Sequence, residues 1–444
     1  MNTLSTNQYI KPVTTIRNFE GNLAIGGCDL VSLADKYGTP LYVIDEATIR
    51  SICHDYKTAF EKYPKMRMMY ASKALCTSAV TAILNEEGFG FDTVSAGEIY
   101  TVHNAGVDMG KVLFNGNNKS YDELSLALDF GVGRFSVDNF FELALLNEIA
   151  SVKGKVADIL LRITPGIECH THEYIQTGHL DSKFGFDLTQ VDEAIDLILN
   201  EYKNIKLHGL HAHIGSQIFE TGIYPDEIEI LAKEISRIDR KYGLKLDEIN
   251  IGGGLGVKYT EEDVPPSTFE IGELIVNKLH DVIEKYNIPE PTVFIEPGRS
   301  VISTSGVTLY TVGSSKQVPH GTKYVAIDGG MADNPRPSMY QAKYCAEIAN
   351  NKDLAKDEMV TLAGRFCESG DILIGNVVLP ELAEGDVLCV YNTGAYNYSM
   401  ASNYNRVQKP AMVLVRDSQS EVIVKRESLE DLVAHDIIPD RLKK

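Results

Sequence analysis

The chain is short of basic residues, of paired cysteines and of long apolar runs, and each shortage removes a class of function. Its 444 residues carry 42 Lys and Arg against 62 Asp and Glu, a formal net charge of −20. So acidic a chain repels phosphate backbones and anionic headgroups, which argues against nucleic acid and membrane surfaces as partners and for a small polar substrate. The cysteines, Cys28, Cys53, Cys76, Cys169, Cys345, Cys367 and Cys389, are odd in number and include no CxxC pair. That scatter argues for a reducing compartment and against a disulfide framework or a structural zinc site. No run of about 18 apolar residues occurs. The N-terminal MNTLSTNQYIKPVT has neither an apolar signal core nor an arginine-rich amphipathic pattern. The expectation is a soluble, cytoplasmic protein.

What is present is an alternation. Strand-like runs stand at 68–73 (MMYASK), 89–94 (FGFDTV), 112–116 (VLFNG), 132–138 (VGRFSVD), 157–163 (ADILLRI), 207–214 (LHGLHAHI), 247–252 (DEINIG) and 292–296 (TVFIE). Between them lie stretches with helical spacing, such as AVTAILNEEG (79–88), NFFELALLNEIASVKG (139–154), VDEAIDLILNEY (191–202) and DEIEILAKEISRIDRKYG (226–243). Several end in Gly or Asn, as helix C-termini do. Eight such strands with interposed helices predict an α/β chain built on a parallel (β/α)8 TIM-type barrel. The competing open doubly wound sheet lacks a GxGxxG after its first strand. After Arg299 the pattern shifts to strand-like runs such as TSGVTLYTVG, DILIGNVVLP and the hairpin-like AMVLVRDSQSEVIVKRE. The expected organisation is a barrel over 41–300 and a mainly antiparallel β domain made of 301–444 and 1–40.

The unusual residues gather at the C-terminal ends of the barrel runs, the end where this fold carries its chemistry. Lys73 closes the first run; Asp92 and Ser95 close the second and Asn115 the third. His213, Gly215 and Ser216 follow the sixth in HAHIGSQ, Gly252, Gly253, Gly254 and Gly256 follow the seventh in IGGGLG, and Glu296, Pro297, Gly298 and Arg299 follow the eighth. A lysine on an apolar run snorkels or, once desolvated, becomes a nucleophile. GGGLG by itself reads as a tight turn. Together with Lys73, Glu296 and His213 it describes what pyridoxal phosphate requires: an amine for the covalent link, a phosphate cup, an acid for the pyridine nitrogen and a flat ring behind it. Two other readings stay open. His211 and His213 are placed as metal ligands are, although no further ligand is evident and no metal is assigned; His211 also reads as a core histidine. His170 and His172 lie in an unusually long connection, 164–187, of the kind active-site loops adopt.

The motifs YASKA, THEYIQTGHLDSKFGF, GLHAHIGSQ, NIGGGLG, EPGRS, RPSMY, CESGD and GAYNYSM follow one another over nearly the whole chain. In that order they make the sequence similar to the fold type III pyridoxal-phosphate decarboxylases, and within them to the diaminopimelate decarboxylases. The resemblance implies the following roles. Lys73 would hold the cofactor in an apolar neighbourhood, Glu296 would face the ring nitrogen and His213 would stack on the ring. Ser216, Gly253, Gly254, Gly298 and Arg299 would surround the phosphate, with Tyr396 reaching the cofactor from the β domain. Cys367 would return the proton after carbon dioxide leaves, although a lone cysteine beside Phe366 also reads as a small core residue. Arg299, Arg336 and Tyr340 would bind the distal carboxylate of an amino-acid substrate, Glu368 its ammonium, and Tyr396 would add a substrate contact. Because Cys367 would come from a partner subunit, the resemblance implies a homodimer with shared active sites. It also implies conversion of meso-diaminopimelate to L-lysine and carbon dioxide. Rival readings are decarboxylases of carboxynorspermidine, arginine or a D-diamino acid, an alanine racemase, and a non-catalytic pyridoxal-phosphate carrier.

Overall fold

The computed structural model describes residues 4–166, 183–351 and 358–443. The long connection holding His170 and His172 lies largely outside the described residues. Eight strands form a closed parallel barrel: β1 (Met66–Ala71), β2 (Gly90–Thr93), β3 (Val112–Phe114), β4 (Arg134–Val137), β5 (Ala157–Thr164), β6 (Ile205–His211), β7 (Glu248–Asn250) and β8 (Thr292–Ile295). Each pairs in parallel with the next, and Val293 of β8 lies opposite Met66 of β1, which closes the ring. These are the eight runs read from the sequence, with ends shifted by a few residues.

Local chemistry starts and stops the intervening helices. Thr77 accepts from the Val80 N–H, Ser95 from Glu98 and Asn139 from Glu142, and Ser120 forms a reciprocal capping box with Glu123. Gly131 and Gly243 end their helices in the left-handed conformation that favours glycine, and Asn287 does the same after Thr268–Tyr286. The strands are almost wholly buried because helices cover their outer faces, so β5 reads ADILLRIT with only Asp158 partly exposed. Inside the barrel, Met69, Leu113 and Leu160, from β1, β3 and β5, pack together with Phe294.

Contacts divide the chain into two compact units, Met1–Tyr9 with Ile49–Ile302, and Ile10–Thr48 with Ser303–Lys444. Two segments therefore differ from the expected boundaries at 40 and 300. Leu41–Asp45 is a strand of the second unit, antiparallel to Gly306–Gln317 and parallel to Ala411–Arg416. Residues 4–9 go with the barrel, where Asn7 Nδ2 donates to the Gly256 and Pro266 carbonyls, both at 3.0 Å, and the Thr6 N–H donates to Asp55 at 2.7 Å. The second unit is mainly antiparallel, with one further parallel pairing between Lys323–Ile327 and Glu358–Ala363. Its closing hairpin, Ala411–Arg416 with Gln419–Val424, turns on Asp417 and Ser418, both at positive φ.

Candidate active site

Strand alternation builds the floor of the site. Side chains two residues apart share a face, so Asn115 follows Leu113, Arg162 follows Leu160 and Glu296 follows Phe294 on the inner wall. The apolar layer is thus succeeded by a polar one towards the open C-terminal end. There the polar groups satisfy one another. Asn115 Nδ2 donates to Asp92 Oδ1 at 2.6 Å and to Glu296 Oε1 at 3.1 Å. Asn250 Nδ2 donates to the same Glu296 oxygen at 2.7 Å, and its own Oδ1 is held by the Gly252 N–H at 2.8 Å. His211 is buried, with Nδ1 2.6 Å from Ser136 Oγ and Nε2 3.6 Å from Glu296 Oε1. Among the described residues, all of these approaches to Glu296 reach Oε1 and none reaches Oε2.

Burial sets the charge state of this layer. It raises the proton affinity of Glu296, whose pKa the nearby Asp92 charge helps push up to about 8. Asp92 is raised for the same first reason, against the pull of Lys73 and the Asn115 hydrogen bond. Burial holds His211 and His213 well below the usual histidine range, so both imidazoles are neutral at pH 7.

Lys73 stands in the single turn Ser72–Ala74 that follows β1. The expectation of an apolar neighbourhood is corrected here. The residue is exposed, and its charge acts on Asp92, Glu98 and Glu296, each of which it makes easier to ionise. The run before Lys73 is apolar because β1 is a core strand, whereas its end opens onto the acidic layer.

Across the mouth lie the glycine turns. An added Cβ on Gly253 would stand 2.1 Å from the Glu296 carbonyl oxygen. Gly254 adopts φ +116°, and its Cβ would meet Ile218 at 2.6 Å and the Gly215 carbonyl at 2.7 Å, so only glycine fits. The Gly253 N–H donates to His213 Nδ1 at 3.2 Å, which fixes that ring against the turn. Gly298 follows β8 after Glu296 and Pro297. Arg299 is buried and donates from Nη2 to Ser216 Oγ at 3.1 Å and from Nη1 to Tyr259 Oη at 2.8 Å. One amine, an uncommitted carboxylate oxygen, a neutral flat ring and a glycine cup beside a guanidinium suit a phosphorylated aromatic ring with a basic nitrogen and an aldehyde.

The second unit carries the remaining expected residues. The Arg336 guanidinium lies over the Tyr340 ring, 5.5 Å from its centroid, and 5.7 Å from that of Tyr396, and its Nε donates to Tyr344 Oη at 3.1 Å. Tyr396 has φ +59°, a conformation a tyrosine rarely adopts. Cys367 is exposed and Glu368 accepts a hydrogen bond from Tyr404 Oη. Sequence reasoning missed Asn250, Arg162, Ser136, Tyr344 and Tyr404. The first three had a signal, polar residues in otherwise apolar strands; the last two had none.

A family model described as the pyridoxal binding domain of pyridoxal-dependent decarboxylases matches residues 46–303. A diaminopimelate decarboxylase of Bacillus subtilis is 47% identical over 96% of this chain and 97% of its own length. One from Synechocystis is 46% identical over 99% of this chain and 95% of its own. Among solved structures, the diaminopimelate decarboxylase of M. jannaschii superposes with a TM-score of 0.92 at 34% identity, covering 98% of this chain and 100% of the other. The Helicobacter pylori enzyme in complex with L-lysine gives 0.84 at 32% identity, covering 91% and 98%.

Proposed function

Because the chain belongs to the diaminopimelate decarboxylases, a branch of the pyridoxal-dependent decarboxylases, we propose that it converts meso-2,6-diaminopimelate to L-lysine and carbon dioxide, the closing step of lysine biosynthesis. The observation that carries this reading is identity of 47% over nearly the full length of both chains.

Bound pyridoxal phosphate supplies an electron sink that lets a carboxylate leave the substrate's Cα as carbon dioxide. The chain's own residues do the rest. The Lys73 amine would hold the cofactor at its aldehyde. Glu296 would face the ring nitrogen and favour a proton there, and the neutral His213 ring would back the cofactor without adding charge. Ser216, Gly253, Gly254, Gly298 and Arg299 would surround the phosphate, where turn backbone N–H groups suit an anion, and Tyr396 would reach the cofactor. Arg336, Tyr340 and Arg299 fix the substrate's distal carboxylate and Glu368 its ammonium, a division that suits a guanidinium fork and a carboxylate respectively. Tyr396 adds a substrate contact. The Cys367 thiol returns a proton to Cα. It serves the site of a partner subunit, so the working enzyme is a homodimer. No helix among the described residues is long and apolar enough to cross a membrane, and we place the enzyme in the cytoplasm.

The test is release of carbon dioxide and L-lysine from meso-diaminopimelate, run beside ornithine, arginine, lysine and carboxynorspermidine with added pyridoxal phosphate. Lysine from diaminopimelate alone is expected. Turnover of another substrate in its place would keep Lys73 and the phosphate cup and remove the distal roles of Arg336, Tyr340 and Glu368. Cofactor loading without any turnover would turn the reading towards a carrier.

A further inference from the structure

Glu296 has two oxygens, and the fold treats them differently. Oε1 accepts from Asn250 at 2.7 Å and from Asn115 at 3.1 Å. Oε2 receives no hydrogen bond among the described residues. Asn250 cannot rotate away, because its Oδ1 is held by the Gly252 N–H at 2.8 Å. Asn115 is the more unusual partner. It is buried, and the two hydrogens of its amide serve two carboxyl groups, since it also donates to Asp92 Oδ1 at 2.6 Å. An amide that donates to two acids favours their ionised forms, because a hydrogen bond to a carboxylate is stronger than one to a neutral carboxyl oxygen.

We propose that Asn115 is a positioning residue: by tying Asp92 to Oε1 of Glu296 it keeps Glu296 anionic with Oε2 turned to the cofactor's ring nitrogen, so that the shared proton rests on the ring. This deepens the functional reading above and rests on it.

The surroundings of Glu296 show why such help is needed. Facing it are Lys73 after β1, Asp92 on β2, Arg162 on β5, His211 on β6 and Glu227 on the helix Ile223–Tyr242. His211 is held neutral by burial. Burial and the Glu296 charge hold Glu227 well above the usual carboxylate range, and neither of its oxygens has a hydrogen-bond partner among the described residues. Asp92 repels a second negative charge. Lys73 is the residue assigned to the cofactor's covalent link, and Arg162 is shared with Asp138 and Asp92. Neutral donors fixed on one oxygen therefore bear on where the proton sits, and Asn115 is the one that also binds the repelling neighbour.

The experiment uses full-length Asn115→Ala and Asp92→Asn beside the wild type. Cofactor-free protein is titrated with pyridoxal phosphate, and the loaded protein is read by 15N NMR with ring-labelled cofactor. The wild type should show a protonated ring nitrogen. Asn115→Ala should move the 15N shift towards the unprotonated value and weaken cofactor binding about tenfold, one pKa unit's worth, with kcat falling and KM little changed. Asp92→Asn removes the repelling charge and should leave the ring protonated. A residue that merely packed would lower stability without moving the 15N shift. An Asn115→Ala ring signal like the wild type's, or an Asp92→Asn ring that loses its proton, overturns the inference. The Asp92→Asn ring signal remains decisive even if Asn115→Ala fails to fold. A wild type that binds no pyridoxal phosphate would instead remove the functional reading itself.

Discussion

Glu296 is where one carboxyl answers to the fold as well as to chemistry. Its pKa of about 8, raised by burial and by Asp92, means that the cofactor-free native state holds a proton that the unfolded chain gives up near pH 4.5. A native state that binds more protons loses stability as pH rises. The cofactor-free protein should therefore lose stability between about pH 5 and about pH 8, and Glu296→Gln should flatten that fall. Thermal melts across this range check it; equal slopes in both proteins would contradict the coupling. Lys73→Ala should abolish the visible absorbance of the bound cofactor together with turnover. Cys367→Ala should keep the absorbance and lose roughly 10²- to 10⁴-fold in rate, the usual worth of a positioned proton donor; full activity would assign the proton to another side chain. Lys73 and Glu296 were legible in the sequence because each breaks a local rule, a cation or an acid standing where a strand should end in something bland, whereas Cys367 was singled out only by the resemblance. Asn115 was visible only as a strand-end polar residue. That its amide joins two carboxyl groups depends on β2, β3 and β8 being brought around one axis, which no local pattern contains.

At the scale of elements, a buried ion pair joins the turn after β3 to a helix. Lys119 Nζ lies 2.7 Å from Glu142 Oε1 on Phe140–Val152, with both side chains almost fully buried, and it also donates to the Gly116 and Ser136 carbonyls at 2.8 Å. Removing one partner strands the other charge. Lys119→Met should cost about 3–5 kcal/mol, and adding Glu142→Leu should recover most of it. Denaturant melts of the single and double variants would show whether the loss comes from an uncompensated carboxylate; a double variant no better than the single one would point to packing instead. In the second unit, Glu347 meets Lys11 at 2.5 Å, Arg17 at 2.7 Å and the Tyr391 hydroxyl at 3.0 Å. Burial alone would raise its pKa, yet these partners bring it to about 2. A carboxylate depressed in this way stabilises above its unfolded pKa and loses that contribution as pH falls towards 2. Glu347→Gln should accordingly destabilise by about 1 kcal/mol at neutral pH and leave the acid limit unchanged.

For the whole molecule, the proposed shared active site makes a prediction of its own. Lys73→Ala and Cys367→Ala are each expected to be nearly inactive. Co-refolded in equal amounts, they should recover about a quarter of wild-type activity, because half of the dimers formed are mixed and each mixed dimer rebuilds one intact site. No recovery would mean that Cys367 serves its own subunit. The division of the chain into units also lies beyond what composition can settle. The segment LYVID, Leu41–Asp45, reads as a barrel strand by composition, and β-branched residues flanked by polar ones suit either unit equally. It pairs instead with Gly306–Gln317 and Ala411–Arg416, residues more than 250 positions away.

The sequence by itself determined the eight barrel strands, their alternation with helices, the cluster of chemistry at the strand ends and the family, because periodicity, capping residues and ordered motifs are local properties written into consecutive residues. Only the tertiary structure decided which unit the segments at 4–9 and 41–48 join. It alone showed that Lys73 faces carboxylates rather than an apolar wall, and that Glu296 is gripped by one oxygen through Asn115 and Asn250. Those facts depend on ring closure, which brings β1, β2, β3, β7 and β8 to a common axis, and on burial, which sets the energy of every charge placed there.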